Sequence, residues 1–131
     1  MVLITGATSF VGRAVMQRLA ADGCPMACLL RPAQREQRLP SGIPVSIVSA
    51  GMRDMPALRA AMQRVTAIVH LTGEEDIDYG DNLQNHVEDT ANLLAAAKEA
   101  DVRRIVYLSR LGANRASAYP LYAFLWWCVV V

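Results

Sequence analysis

Residues 5–12, with the sequence TGATSFVG, have the types and spacing of a loop that holds phosphate. Gly6 can adopt the dihedral angles of a tight turn after a strand, and Gly12 lets a following helix pack closely on that strand. The first N–H groups of such a helix, with the positive end of its dipole, bind anions. Ser9 is small enough for the close approach of a pyrophosphate and adds a hydroxyl donor. The stretch predicts a dinucleotide-binding loop, and the alternative is a purely structural turn between strand and helix.

The residue that would distinguish the two nicotinamide dinucleotides is Arg31, which lies 19 positions after Gly12. An acidic residue in this region would bind the ribose 2′-hydroxyl of NAD. A guanidinium instead pairs bidentately with a 2′-phosphate, so Arg31 favours NADP, with NAD as the alternative cofactor. A solvated loop arginine is the alternative role for Arg31 and the expected role of Arg35 and Arg38.

The apolar residues follow two patterns that alternate along the chain, and these patterns predict the strands and helices that would position the loop and Arg31. Short apolar runs predict strands, and longer runs with helical spacing predict helices. The predicted strands cover 2–5, 26–30, 45–48, 67–71 and 104–108, and the predicted helices cover 11–21, about 54–65 and about 81–100. Strands that alternate with helices, several of them apolar on both faces, are typical of a parallel sheet covered on both sides. We therefore expect an α/β fold: a doubly wound, Rossmann-like parallel sheet of about five strands, with helices on both faces and a crevice where the strand order reverses.

The helical spacing also predicts which side chains face the sheet. In the first helix these are Val11, Val15 and Leu19. Asp54 is expected to cap the second helix. In the second and third helices the inward residues would be Leu58, Ala61, Met62, Val65, Val87, Ala91 and Leu94. Residues 32–44 are polar, and a helix there is expected to be weak or absent.

Length and composition describe one globular domain. The 131 residues are 53% hydrophobic and 19% charged, enough for a core but short for separate cofactor and substrate domains. We therefore expect residues 1–131 to form a single domain without a substrate domain. The net charge of +1 gives no electrostatic reason to bind nucleic acid. The first residues lack the basic region and long apolar run of a secretory signal, which favours a cytoplasmic location.

The tail at residues 116–131 carries no charge in sixteen positions. A membrane-spanning helix needs about twenty apolar residues, so a buried helix or strand is favoured over a membrane or partner contact. An exposed apolar tail would promote self-association, and we therefore expect a homo-oligomer, in the simplest case a homodimer, that forms through this region.

The remaining titratable residues predict no metal site. Cys24 and Cys28 have no second Cys/His pair beside them, so ordinary buried thiols are favoured over metal ligands. His70 ends the fourth predicted strand and is expected to pack, and His86 is expected on a helix surface. The acidic residues within 74–81 are expected to form a solvated loop, since nothing fixes a coordination geometry.

Five segments together resemble the short-chain dehydrogenase/reductase superfamily, in its extended and atypical branches. They are TGATSFVG at 5–12, LLRPAQR at 29–35, MRDMPALRAAM at 52–62, AIVHLTG at 67–73 and NLLAAAKEADVRRIVYLSRLGA at 92–113. The last segment is especially similar to the atypical group that includes NmrA-like proteins and the accessory subunit of respiratory complex I. The resemblance covers residues 1 to about 122. It implies an NAD(P)-binding Rossmann fold related to NAD-dependent epimerases, dehydratases and reductases.

The resemblance implies a set of cofactor contacts. The loop after the first strand would hold the diphosphate, Arg31 would bind the 2′-phosphate, and the loop after the fourth strand would line the ribose. Gly51 stands where the family commonly has an aspartate that contacts adenine, which leaves Met52 to cover the ring. The implied cofactor residues are Gly6, Thr8, Ser9, Phe10, Val11, Gly12, Arg31, Met52, Leu71, Thr72 and Gly73.

The resemblance also implies a catalytic serine and a Tyr-x-x-x-Lys pair. Ser109 matches the serine that polarises the substrate carbonyl, and Tyr119 is the candidate tyrosine. In the family the lysine lowers the tyrosine pKa and holds the nicotinamide ribose. Here Ala123 follows Tyr119 at that spacing, and Lys98, the only lysine, lies before the fifth strand. The chain is therefore expected to have little intrinsic catalysis and to be shortened after its fifth strand.

Three functions remain open at this point. The first is an NADP-binding Rossmann domain with little oxidoreductase activity. The second is an NADP-dependent reductase that completes its site by oligomerisation. The third is a non-enzymatic redox-sensing or interaction protein that uses the fold as a scaffold.

Overall fold

The computed structural model describes residues 1–32, 39–72 and 82–109, with the backbone alone for residues 82–86. Within these ranges the elements are β1 (Val2–Thr5), α1 (Phe10–Ala21), β2 (Met26–Leu30), β3 (Ser46–Ser49), α2 (Met55–Ala61), β4 (Ala67–His70), α3 (Asn82–Glu99) and β5 (Arg104–Tyr107). Several predictions fall outside the described residues: those on Arg35, Arg38, Gly73, the acidic residues of 74–81, the His86 side chain, Tyr119 and the tail at 116–131.

The five described strands form one parallel sheet in the order β3-β2-β1-β4-β5. The order reverses between β1 and β4, because β2 and β3 extend the sheet to one side of β1, and β4 and β5 extend it to the other. In-register pairing aligns Leu29, Thr5, His70 and Tyr107 across the sheet near its carboxyl edge. The predicted doubly wound, Rossmann-like fold is confirmed, with its crevice at the β1/β4 switch point.

Alternate side chains of the central strands fill two separate cores. On one face, Ile4 and Cys28 pack with Met16 of α1. On the other face, Leu3 and Ile68 pack with side chains of α2 and α3. Helices therefore cover both faces of the sheet, as the apolar strands predicted.

Helix α1 differs from the prediction in the face that it buries. Ser9 caps the helix, its Oγ accepting a hydrogen bond of 3.0 Å from the Gly12 N–H. Gly12 and Met16 are the buried residues of the helix, and Val11, about 100° around the helix from Gly12, has 40% of its surface exposed. The expectation that Val11 faces inward is wrong, whereas Val15 and Leu19 do pack against the core beside α1.

Helices α2 and α3 also differ in detail from the prediction. Asp54 caps α2, with Oδ1 accepting from the Ala57 N–H at 3.1 Å, and the four predicted inward residues are buried. The helix ends at Ala61 rather than near 65, because the following turn places Arg64 at a φ of 67°. Among residues 87–99 of α3 the buried positions are Thr90, Leu93, Ala96 and Ala97, whereas Ala91 is exposed and Val87 and Leu94 are only half-buried. Alanine occurs on both the buried and the exposed face of this helix, so the spacing of its apolar residues could not show which face is buried.

Three smaller expectations have different outcomes. Strand β3 lies one residue later than predicted, at Ser46–Ser49. Cys28 is buried, but Cys24 is half-buried, so the expectation of two buried thiols is wrong for Cys24. Residues 39–44, the described end of the polar connection, form no helix.

Candidate dinucleotide site

The β1–α1 turn lies in tight contact with the end of β4. Gly6 has a φ of 70°, and a β-carbon built on it would lie 2.7 Å from the carbonyl carbon and oxygen of Leu71. A β-carbon on Gly12 would overlap the carbonyl oxygen of Gly6 and lie 2.8 Å from the Cα of Ala7. Both positions exclude any side chain, and together they bring the start of α1 to the switch point of the sheet.

The start of α1 has the properties of an anion site. The N–H groups of Phe10 and Val11 have no acceptor within the helix, as in any first turn, and their side chains are 78% and 40% exposed. The first turn holds no acidic residue that would neutralise the helix dipole. Ser9 uses its Oγ as the cap acceptor and keeps its hydroxyl proton as a donor. This donor set fits a diphosphate.

The carboxyl end of β2 brings Arg31 to the same edge as this turn. Arg31 directly follows β2, is half-buried, and stands next to the strand end that pairs with β1. The Ala50 N–H donates to the Leu30 carbonyl oxygen at 3.0 Å, so the β3–α2 loop lies at this edge too.

In the β3–α2 loop, Gly51 has open space around it, whereas the Met52 side chain is buried. Nothing lies within 4 Å of a β-carbon built on Gly51. The Met52 side chain is 6% exposed and packs in the core beside Leu58. Its carbonyl oxygen accepts a hydrogen bond of 3.1 Å from Nδ2 of Asn92 on α3. The Asn92 side chain therefore anchors this loop to α3, a contact that was not predicted from the sequence.

A cluster of polar side chains lies at the ends of β1 and β4. Thr5 Oγ1 is 2.6 Å from His70 Nδ1 and 2.6 Å from Thr72 Oγ1, and His70 Nε2 is 3.4 Å from Thr90 Oγ1. The His70 ring also packs near Tyr107, with centroids 5.4 Å apart. His70 packs as expected, but its hydrogen bonds were missed. The sequence did contain a signal for these hydrogen bonds: polar residues occupy the last positions of two strands that flank the switch point.

The predicted catalytic residues are only partly described. Ser109 is exposed and follows β5 by two residues, and the Leu108 N–H donates to the His70 carbonyl oxygen at 3.1 Å. Ser109 therefore lies at the carboxyl edge of the sheet. Lys98 is in the last turn of α3, which leads into the start of β5, so it lies toward the opposite edge. Tyr119 is outside the described residues.

Two further properties concern the described ranges alone. They contain no group of three His, Cys, Asp or Glu side chains that could hold a metal ion. Among the same residues no helix is both long and apolar enough to cross a membrane.

Comparisons with known proteins show the family. The family described as NAD(P)H-binding matches residues 6–127, and the chain belongs to it. The (4-alkanoyl-5-oxo-2,5-dihydrofuran-3-yl)methyl phosphate reductase of Streptomyces griseus subsp. griseus is 34% identical over 119 residues, which are 90% of this chain and 37% of that relative. The resemblance to NAD(P)-binding reductases and epimerases is thereby confirmed.

Two solved structures share the fold. An NADPH-dependent quinone oxidoreductase from Escherichia coli has a TM-score of 0.73 and 25% identity, covering 99% of this chain and 42% of that one. The UDP-glucose 4-epimerase of Thermus thermophilus, solved with NAD, has a TM-score of 0.69 and 25% identity, covering 86% of this chain and 38% of that one. The chain thus spans less than half the length of these similar proteins.

Proposed function

We propose that this chain binds NADP at the carboxyl edge of its sheet. The observation that carries the proposal is the β1–α1 turn, where Gly6 and Gly12 fit without side chains and α1 starts at the switch point. The diphosphate would lie at the first turn of α1, contacted by Thr8, Ser9, Phe10, Val11 and Gly12.

The preference for NADP over NAD rests on Arg31. The first turn of α1 carries no carboxylate, and the residue after β2 is a guanidinium where NAD-binding proteins place an acid. A planar guanidinium matches the oxygens of a 2′-phosphate. Leu71, Thr72 and Gly73 are proposed on the ribose side of the same ligand. The backbone of Met52 is proposed on the adenine side, since its side chain packs in the core.

In its reduced form, NADPH, the bound ligand would supply a hydride, and in its oxidised form it would accept one. The chain's own contribution is to bind and orient that ligand, with the Ser109 hydroxyl at the same edge of the sheet. The sequence contains no Tyr-x-x-x-Lys pair, and Lys98 lies toward the opposite edge. We therefore infer little intrinsic turnover, with Tyr119 as the remaining candidate for proton transfer.

Separate titrations of the purified chain with NADP and NAD test the proposal. We expect NADP to bind more tightly, and Arg31→Asp to move the preference toward NAD. The matched control is Arg18→Asp, on the exposed face of α1, which should leave the preference unchanged. Binding of neither dinucleotide overturns the proposal, and an unchanged preference in Arg31→Asp overturns the role of Arg31.

NADPH oxidation with a panel of carbonyl substrates separates the proposal from a working reductase. Absence of turnover alongside clear NADP binding is the expected result. Substrate-dependent oxidation would contradict the inference of little catalysis and would support a site completed by oligomerisation.

Self-association is a separate part of the proposal. On β5, the side chains of Ile105 and Val106 are exposed, and β4 is the only described strand that pairs with it. We propose a homodimer on this side, involving the apolar residues 116–131, in a cytoplasmic protein that does not bind nucleic acid. Light scattering that shows a monomer at high protein concentration would contradict the dimer.

A further inference from the structure

The side chain of Arg13 folds back onto the β1–α1 turn. Its guanidinium Nη1 donates a hydrogen bond of 3.0 Å to the Thr8 carbonyl oxygen, and its backbone N–H donates at 3.0 Å to the carbonyl oxygen of Ser9, the cap of α1. Arg13 is exposed, and no carboxylate of the described residues forms an ion pair with it. The positive charge of Arg13 is therefore held beside the turn, and no described carboxylate neutralises it.

Two other arginines on the described helices use their charge differently. Arg18, further along α1, pairs with Asp22 at 3.1 Å, and Arg59 of α2 pairs with Glu99 of α3 at 2.6 Å. In both pairs a carboxylate of the fold itself neutralises the guanidinium. Arg13 instead donates to a neutral carbonyl group, so its remaining N–H donors and its full charge stay available to an anion.

The Thr8 carbonyl oxygen belongs to the stretch that would contact the diphosphate. Its partial negative charge would repel phosphate oxygens, and the hydrogen bond from Arg13 offsets that repulsion. The N–H groups of Phe10 and Val11, which have no acceptor within the helix, follow Thr8 closely along the chain. Backbone donors and a side-chain cation are therefore close together at the start of α1.

We propose that Arg13 is a binding residue for the diphosphate, which it attracts with its charge and contacts with the remaining N–H groups of its guanidinium. The inference rests on the proposed NADP site. The diphosphate is common to NADP and NAD, whereas the 2′-phosphate is not, so Arg13 and Arg31 have separable effects. Arg13 strengthens the binding of both dinucleotides, and Arg31 sets the preference between them.

Binding of four ligands to the wild-type chain and to Arg13→Gln tests this contact. NADP, NAD and ADP contain a diphosphate, and adenosine 2′-monophosphate does not. Arg13→Gln should weaken the binding of the first three by about threefold to tenfold, the effect of one lost contact between a guanidinium and a phosphate, and leave adenosine 2′-monophosphate unchanged. Since Arg13 is exposed, salt screens its charge, and this loss should shrink to less than about twofold when the salt concentration rises from about 20 mM to about 500 mM.

Two further variants test whether the charge of Arg13 and its place on the helix are what matter. Arg13→Lys keeps the positive charge and should bind the three diphosphate ligands more tightly than Arg13→Gln does at low salt. Arg18→Gln removes the same charge from the exposed surface of the same helix and is the matched control. It should change each of the four affinities by less than about twofold.

The outcomes separate this inference from the proposed function. An equal loss of all four ligands in Arg13→Gln, with circular dichroism showing a folded chain, indicates a loosened turn and overturns the role of Arg13. A loss that is independent of salt, or one that is larger for NADP than for NAD, overturns it as well. If the wild-type chain binds both dinucleotides and Arg13→Gln binds them equally well, the role of Arg13 fails and the proposed NADP site stands. If the wild-type chain binds neither dinucleotide, the proposed site fails and the role of Arg13 fails with it.

Discussion

The Asn92 side chain on α3 donates a hydrogen bond of 3.1 Å to the Met52 carbonyl oxygen in the β3–α2 loop. Next to it, Arg53 forms ion pairs with Glu88 at 3.2 Å and with Asp89 at 3.7 Å, both also on α3. One surface of α3 thus holds a loop that lies at the carboxyl edge of β3. The ion pairs are exposed and contribute little, so the amide is the main anchor.

Removal of this anchor should weaken ligand binding. Asn92→Ala leaves the Met52 carbonyl without its donor, and we expect a loss of about 1 kcal/mol in the free energy of unfolding. The NADP affinity should fall by a few-fold because the loop beside the proposed adenine side is less fixed. Urea unfolding and fluorescence titration measure the two effects. Glu88→Gln is the matched control on the same surface, and a larger effect from Glu88→Gln than from Asn92→Ala would contradict the assignment.

Two glycines at the same edge of the sheet should respond differently to substitution. Gly12→Ala forces a β-carbon onto the Gly6 carbonyl oxygen, so α1 must move, and NADP affinity should fall more than tenfold with a lower melting temperature. Gly51→Ala has open space and should leave both quantities nearly unchanged. Gly51→Asp should tighten NADP binding if the family's adenine contact is restored. Equal effects of Gly12→Ala and Gly51→Ala would refute the close approach.

The two described thiols should differ in reactivity. Burial raises the pKa of the Cys28 thiol from 9.0 to about 11, which leaves about a thousandth of it as thiolate at pH 8. In a chain that carries Cys128→Ser, a disulfide reagent should therefore modify half-buried Cys24 first, and Cys28 only after unfolding. Cys24→Ser in that background should abolish the fast phase. A fast phase that persists would contradict the burial of Cys28.

The same raised pKa predicts a pH dependence of stability. The unfolded state loses the Cys28 proton near pH 9, whereas the folded state keeps it until about pH 11. The contribution is fully present below pH 9 and is lost as the pH rises through 11. Urea unfolding of wild type and Cys28→Ala at pH 8 and pH 10 isolates it. The wild-type chain should lose more stability between these two values than the variant does.

Two helix ends provide a matched pair for backbone strain. Gly23 after α1 and Asp101 after α3 both have positive φ, 67° and 55°, and the following N–H bonds to a carbonyl five residues earlier in each case. Asp101→Gly should raise the free energy of unfolding by about 0.5 kcal/mol, since it relieves strain and removes a negative charge from a helix C-terminus. Gly23→Ala should lower it by about 1 kcal/mol. Chemical denaturation measures both, and a loss of stability in Asp101→Gly would argue against strain at that position.

The fold could be predicted from the sequence because strand and helix periods alternate cleanly. The runs at 2–5 and 26–30 are apolar at nearly every position, and their bounds were predicted as the structure has them. The face of α3 could not be predicted because alanine fits both a core and a surface. The face of α1 could not be predicted from apolar spacing, because the buried Gly12, whose backbone packs against Gly6 and Ala7, has no side chain to contribute to that spacing.

The candidate site, like the fold, could be predicted from the sequence only in part. Glycine spacing locates the β1–α1 turn because only glycine tolerates those contacts, so the signal is local in sequence. The hydrogen bonds of His70 could not be predicted, because Thr5 and His70 are 65 positions apart and meet only through strand pairing. The Asn92 anchor is likewise a long-range contact, 40 positions from Met52.

The central position of β1 has a consequence for the order in which the chain can fold. β1 is synthesised first, yet one of its two neighbours in the sheet, β4, begins at Ala67, paired with Val2. Closing a loop of that length must precede this pairing, which slows folding relative to a helical domain of equal size. A nascent chain that has not yet released β4 from the ribosome therefore presents β1 as an unpaired edge. A dinucleotide could therefore stabilise the growing chain only after β4 has been synthesised and has paired with β1.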